Sequence, residues 1–383
     1  MLTVGIIGVT GYAGSELFRI LSRHPKVGEL VVSSISHSGK LLSSVYPNFI
    51  GGPKVKLENS TSVVAASDVV FAALPHGEGD DIAPTCVMIG VPYIDLSADF
   101  RFGKDQETYS AWYDSEWYSD MHRKSIYGLP EMNRQKIQAA AKNFRENHEE
   151  LDDENGVVIG NPGCYPTGAA LAAFPALSRG VYGGGTIIVD SVSGITGGGR
   201  KPARAFHFPE CYDSMTPYKV ASHRHTPEIS RVFSLMEGIP PSSPRPLIFT
   251  PHLAPMNRGI LSTVYIPLSA EWRCGPPKPS APRPPSDAVI EKTARIHELY
   301  RDFYRNERFV RVLPQGILPS TGRVRSSNFC DISVHIDHNG LNLIAISAID
   351  NMVKGAAGQA VQNMNIIFGY KESTGLDALP AMF

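Results

Sequence analysis

The sequence predicts an α/β chain of two domains, a parallel α/β domain first and an α+β domain with a largely antiparallel sheet second. Three observations carry that expectation. The chain opens with an apolar strand pattern, Leu2 to Val9, which is broken by glycines and resumes as an amphipathic helix from Ser15 to Ser22, the start of a βαβ unit. Two later stretches, Ile248 to Pro267 and Phe329 to Asp350, are long and strand-rich, as an antiparallel sheet requires. A length of 383 residues, 42% of them hydrophobic, exceeds one domain and buries a substantial core.

Composition narrows the partners. The formal net charge is −1 and the basic residues are scattered, so neither a nucleic-acid surface nor a polybasic membrane patch is expected. Cys86, Cys164, Cys211, Cys274 and Cys330 form no C-x-x-C pair, and an odd set in a chain this long reads as thiols in a reducing compartment. The N-terminus enters its first strand without a basic leader, and no apolar run has the length of a membrane span, so a soluble cytoplasmic protein is expected. The proline-rich run near 275–286 reads as a surface excursion.

The glycines after the first strand define a cofactor turn. Gly8, Gly11 and Gly14, with Thr10, Tyr12 and Ala13 between them, give G-x-x-G-x-x-G, a variant of the dinucleotide fingerprint in which backbone and helix N-terminus meet a pyrophosphate. A second strand over Leu30 to Ile35 should end beside the adenosine ribose. No acid lies between Glu29 and Glu58, whereas Ser34, Ser36 and Lys40 follow the strand, so NADP is expected rather than NAD. Strands over Val69 to Leu74 and Tyr93 to Leu96 end in Pro75-His76-Gly77 and Ser97-Ala98-Asp99-Phe100-Arg101. Ligands collect at such strand ends, which puts Pro75 and His76 at the cofactor and Ser97 and Arg101 toward the substrate. The polar stretch Lys104 to Glu154, with Tyr127-Gly128-Leu129-Pro130-Glu131 as its turn, reads as connector, a solvated helix and an acidic loop.

The chemistry centres on GVVIGNPGCYPTGAALA, Gly156 to Ala172. A β-branched run breaks at Asn161-Pro162-Gly163 and delivers Cys164 to the start of an Ala-rich buried helix. Unpaired amides and the helix dipole there favour a thiolate and supply donors to an oxyanion, making Cys164 the candidate nucleophile. A strand over Gly185 to Val192 leads to glycines and then Arg200-Lys201, a candidate anion-binding loop. In Ser222-His223-Arg224-His225-Thr226-Pro227-Glu228, Thr226 reads as N-cap and Pro227 as the first helical residue. His223 and His225 precede that helix two residues apart, one as acid/base and one as support. A Cys/His/His zinc site is an alternative there, but no third close-set ligand supports it, so no metal is expected. Asn351 to Phe368 reads as an amphipathic helix.

With these pieces assembled, the sequence resembles the N-acetyl-gamma-glutamyl-phosphate reductases, relatives of aspartate-semialdehyde dehydrogenase. The resemblance spans nearly the whole chain and rests on GVTGYAGSEL at 8–17, LSADFR at 96–101, GNPGCYPT at 160–167, SGITGGGRK at 193–201, SHRHTPEI at 222–229, FTPHLAPMNRGIL at 249–261 and DNMVKGAAGQAVQ at 350–362. It implies a Rossmann NADP domain over residues 1–163, completed by 351–383, and a catalytic and oligomerisation domain over 164–350. It also implies Cys164 as nucleophile, an acid/base within His223-Arg224-His225, a substrate phosphate on Arg101, and Asn351 and Gly355 against the nicotinamide. The expected reaction is attack of the thiolate on an acyl phosphate, with phosphate held by Arg101 or Arg200-Lys201, followed by reduction of the thioester to an aldehyde. Aspartyl phosphate, whose ammonium Glu210 or Glu228 would meet, a carrier-linked aminoadipyl phosphate, and a non-catalytic NADP-binding regulator are the alternatives. A homodimer or homotetramer is expected.

Overall fold

Short β-branched runs build the first sheet, and the computed structural model describes them within residues 1–79, 81–113, 119–146, 156–240, 243–274 and 286–382. The acidic loop and almost all of the proline-rich run read from sequence lie outside the described residues. The chain divides into two units. The first comprises Met1–Gly163, Gly198–Lys201 and Met352–Leu379; the second comprises Cys164–Gly197, Pro202–Asn351 and Pro380–Phe383.

The first unit holds β1 (Leu2–Ile7), β2 (Val27–Ser33), β3 (Leu57–Glu58), β4 (Val69–Ala72), β5 (Tyr93–Asp95), β6 (Ile126–Tyr127) and β7 (Val158–Gly160). They form one parallel sheet in the order β3-β2-β1-β4-β5-β7-β6. Val4, Ile6, Val69, Val70, Phe71, Ile94 and Ile159 are buried, the near-continuous apolar runs of a sheet covered on both faces. The strand order changes direction between β1 and β4, so the crevice beyond their carboxyl ends is the ligand position. β2 starts at Val27 and stops at Ser33, not at Leu30 and Ile35, because pairing with Leu2 and Thr3 draws Gly28 and Glu29 into the ladder against their propensity. β6 and the helix Pro130–Glu146 arise from the stretch read as connector.

The C-terminal segment returns to this unit in a form the sequence did not suggest. Val353–Ala357 is a π-helical turn, and the α-helix begins only at Gly358 and runs to Ile367. Every residue of that helix is buried, against the helices Pro130–Glu146 and Tyr12–Leu21. The turn carries Lys354, fully buried, whose Nζ donates to Glu131 Oε1 at 2.7 Å and Gln362 Oε1 at 3.0 Å.

The second unit holds β8 (Ile187–Ser193), β9 (Thr216–Pro217), β10 (Leu247–Leu253), β11 (Ile260–Pro267), β12 (Val310–Val312), β13 (Cys330–Ile336) and β14 (Asn342–Ile349), in the order β12-β13-β14-β11-β8-β10-β9. The pairings β13/β14, β14/β11, β11/β8 and β10/β9 are antiparallel, while β8/β10 and β12/β13 are parallel, so the sheet is mixed. Ser191, Ser262 and Ser347 form one lateral row. These small side chains let the helix Cys164–Ser178 approach closely: Ser347 Oγ donates to Gly168 O at 2.8 Å. That helix is apolar around its whole circumference and buried for most of its length, as a core helix must be. Pro175 inside it has no N–H for the Leu171 carbonyl, and the Tyr304 hydroxyl, from the helix Asp287–Tyr304, donates to that oxygen at 2.6 Å instead.

Candidate active site

In the first unit the glycine turn has the shape of an anion cradle. Gly8 lies at φ +81°, and a Cβ there would stand 2.5 Å from Ala73 O; a Cβ on Gly14 would stand 2.3 Å from Gly8 O. Only glycine fits either position. The helix Tyr12–Leu21 starts from Gly11 with no side-chain cap and no acid in its first turn, which leaves its amides to an anion. Thr10 Oγ1 and Ser34 Oγ are 2.8 Å apart, joining the turn to the end of β2; Ser36 and Lys40 follow, both exposed. These residues fit a dinucleotide, and the serines without a carboxylate suit its 2′-phosphorylated form.

The strand ends after β4 and β5 carry a buried polar chain. His76 Nδ1 pairs with Asp99, which also accepts the Gly77 amide at 3.0 Å. Burial opposes ionisation of Asp99, but the hydrogen bond and charge of His76 and the Gly77 amide hold its carboxyl below the usual range. Asp95, fully buried beside it, is pushed up by burial and by the Asp99 charge. Two residues read from sequence as substrate contacts have partners within the chain. Ser97, read as a substrate contact, is buried with its hydroxyl on Asp95 Oδ2 at 2.7 Å, and it accepts the Asp99 amide. Arg101, read as a phosphate ligand, is 6% exposed, with Nε on Asn161 O at 2.8 Å and Nη2 on Leu96 O at 2.9 Å. Its fork clamps the ends of β5 and β7 and so holds the turn that delivers Cys164.

That turn has a second anchor which sequence reasoning missed. Asn161 Nδ2 donates to Ala356 O at 3.1 Å, and Asn363 Nδ2 donates to Gly128 O at 2.8 Å and to Asn161 Oδ1 at 3.3 Å. The one local signal was a polar residue ending a buried strand. Gly355 lies buried in the π-helical turn of this unit. Asn351 belongs to the second unit, where Oδ1 accepts the Gly259 amide at 2.7 Å and Nδ2 donates to Thr196 Oγ1 at 3.0 Å. Its amide is engaged in tying the end of β14 to two loops. Arg200 Nη1 donates to Thr10 O at 3.0 Å, at the cofactor turn; Lys201 beside it is exposed.

In the second unit Cys164 is the first residue of its helix. Tyr165, the next residue, packs edge-on against His223 and His225, with ring centroids 5.6 and 5.9 Å away, and against Phe249. Tyr218 donates to the Tyr165 hydroxyl at 3.0 Å and also meets His223 edge-on. Burial, then the partner phenol and a Cys164 thiolate, push Tyr165 up. Burial and the thiolate do the same for Tyr218, so both phenols stay protonated. His223 Nδ1 accepts the His225 amide at 3.1 Å, which leaves Nε2 to carry the proton of the neutral ring. Burial first, then Lys219 and Arg224, lower His223 to about 4.

The helix begins at His225, not after a Thr226 cap; Arg224 holds the cap position without a side-chain bond. The chain is already turned by the His223–His225 bond, so the hydroxyl of Thr226 is not needed for that. His225 is half-buried, and Glu228, in the same first turn, is buried. A cavity of about 200 Å³ adjoins Tyr218, lined also by Thr216, Leu253, Ala254, Glu210 and Cys211. A larger one of about 260 Å³, between Asp287–Tyr304 and β13, contains none of the residues singled out from sequence. Among the described residues no group of three His, Cys, Asp or Glu side chains could hold a metal ion, and no helix is long and apolar enough to cross a membrane.

A family model described as the NAD binding domain of semialdehyde dehydrogenase matches residues 3–140, and one described as the semialdehyde dehydrogenase dimerisation domain matches 164–276 and 284–351. Curated relatives named N-acetyl-gamma-glutamyl-phosphate reductase include one from Clostridium botulinum, 42% identical over 100% of both chains, and one from Thermoanaerobacter pseudethanolicus, 44% identical over 99% of both. Among solved structures, aspartate semialdehyde dehydrogenase II from Vibrio cholerae, complexed with ASA, is 17% identical with a TM-score of 0.67, covering 96% of this chain and 98% of that one. The Candida albicans aspartate semialdehyde dehydrogenase with NADP is 16% identical with a TM-score of 0.68 over the same shares; these two share the fold. On the full-length identities, the chain belongs to the N-acetyl-gamma-glutamyl-phosphate reductase family, built on the semialdehyde dehydrogenase fold.

Proposed function

We propose that this protein reduces N-acetyl-gamma-glutamyl phosphate to N-acetylglutamate semialdehyde and phosphate with NADPH, a step of arginine biosynthesis, in a reducing cytoplasm. The observation that carries the reading is a thiol at the first position of a buried helix, followed by a tyrosine packed against two histidines. The Cys164 thiolate attacks the acyl carbon, the bond from carbon to the phosphate oxygen breaks, and a thioester remains. The helix N-terminal amides stabilise the oxyanion of that step. NADPH, when bound, supplies the hydride that converts the thioester to a thiohemiacetal.

We assign the acid/base role to His225. His223 is buried, accepts a backbone amide and titrates near 4, so at neutral pH it is a neutral support. His225, less buried and next to it with ring centroids 4.9 Å apart, protonates the thiohemiacetal oxygen as it forms. It takes that proton back as the carbon–sulfur bond breaks and the thiolate returns. Gly8, Gly11, Gly14, Thr10 and Ser34 would hold the cofactor.

A second copy of the chain completes the molecule. Ile248, Ile188, Tyr265 and Ile344 form a lateral row on the face of the second sheet away from Ser191, Ser262 and Ser347, and the first three are 51, 40 and 38% exposed. An apolar face of this kind needs a cover, and the family model matching this unit describes a dimerisation domain.

The substrate assignment is tested in reverse. With NADP+ and phosphate, N-acetylglutamate semialdehyde should be oxidised far faster than aspartate semialdehyde. Comparable rates with both aldehydes would overturn it.

A further inference from the structure

Four residues from three separate stretches converge on the cofactor turn. Arg200 Nη1 donates to Thr10 O at 3.0 Å, and its guanidinium lies 4.6 Å from the centroid of the Tyr46 ring. The Tyr46 hydroxyl donates to the same carbonyl at 2.8 Å. The Thr10 hydroxyl is 2.8 Å from that of Ser34, at the carboxyl end of β2. Arg200 is exposed, and no carboxylate pairs with it among the described residues. It reaches this place because Gly198–Lys201, though flanked on both sides by the second unit, belongs to the first.

The arrangement places a guanidinium over the Tyr46 ring and leaves most of its fork unused. The ring contact holds the cation near the turn, and Thr10 O takes one of five donors. The end of the second strand is where an NAD protein places a carboxylate on the ribose hydroxyls. Here it presents a serine, with a cation beside it. A planar fork of N–H donors matches a phosphate dianion, which a lysine on a flexible stem does less well.

We propose that Arg200 selects NADP over NAD by binding the 2′-phosphate of the adenosine ribose, with Tyr46 as the platform that positions it. The assignment rests on the NADP reading above and adds the residue responsible. It moves Arg200 from the substrate phosphate to the cofactor.

Titration calorimetry of the full chain with adenosine 2′,5′-bisphosphate and with 5′-AMP tests this without turnover. Wild type should prefer the bisphosphate. Arg200→Leu should weaken bisphosphate binding by about 10- to 100-fold while changing 5′-AMP binding by less than about 2-fold. Arg200→Lys should fall between, and Tyr46→Leu should lose part of the preference by freeing the guanidinium. Equal loss of both fragments in Arg200→Leu would make Arg200 a structural tie to Thr10 and overturn the proposal, as would unchanged bisphosphate binding. A wild-type protein that binds the two fragments equally would overturn the NADP reading itself, and the Arg200 assignment with it. Arg200 is exposed, so a matching thermal melt is expected for the Arg200 variants.

Discussion

His223 and His225 share a sequence motif and a ring contact but differ in what surrounds them. The acceptor bond at Nδ1 and burial beside Lys219 and Arg224 keep His223 neutral, and that has a stability signature. Its folded value of about 4 lies below the ordinary 6.5, so between these values the unfolded chain binds a proton that the folded chain refuses. The contribution of this group to stability is constant above about pH 6.5, falls as the pH drops toward 4, and is lower by roughly 3 kcal/mol below that. His223→Asn should make this acid limb shallower in denaturant melts from pH 7 to 4, while His225→Asn lowers kcat by on the order of 10²-fold or more. An unchanged limb in His223→Asn would place the acid sensitivity elsewhere. Neither distinction was legible in SHRHTPEI. The spacing put both rings near one place, but burial and the amide on Nδ1 come from the fold around them.

At the scale of elements, the C-terminal helix depends on a buried ion pair. Lys354 and Glu131, 0 and 1% exposed at their side chains, join the π-helical turn to the start of the helix Pro130–Glu146. Glu372 binds Arg134 Nη2 at 3.2 Å and Gln362 Nε2 at 2.9 Å in the same layer. Removing one partner strands a charge, so Lys354→Met should cost about 3–5 kcal/mol. Adding Glu131→Gln to it should restore part of that loss. Additive losses in the double variant, measured by urea unfolding, would deny the coupling. Strand–turn–helix units were the legible elements: β1 with its glycines, and β7 with Asn161-Pro162-Gly163 before Cys164, because local residues dictate both. The π-helical turn, the edge strand Ile126–Tyr127 and the clamping role of Arg101 were not, since each is decided by partners far along the chain. Asn161 is 60 residues from Arg101 and 195 from Ala356.

For the whole molecule, the assignment of segments to units shows which partners the sequence left unread. Arg200 lies 190 residues from Thr10, and Asn351 is the last residue of its stretch of the second unit, immediately before the chain re-enters the first. Neither residue's partners were legible from its neighbours in SGITGGG or the final helix. The proposed dimer belongs to this scale as well. Ile188→Glu with Tyr265→Glu, which set charges on the open face of the second sheet, should yield monomers in sedimentation velocity, and a double variant that remains dimeric would move the interface elsewhere.

In the proposed reaction Cys164 carries the acyl group, and intact-mass spectrometry tests this without turnover. Mixing the protein with N-acetyl-gamma-glutamyl phosphate in the absence of NADPH should add one N-acetylglutamyl group, mapped to Cys164 and released by hydroxylamine or by NADPH. Cys164→Ser should acquire no adduct that NADPH can discharge. An unmodified wild-type chain, or an adduct on another residue that NADPH reduces, would contradict the account.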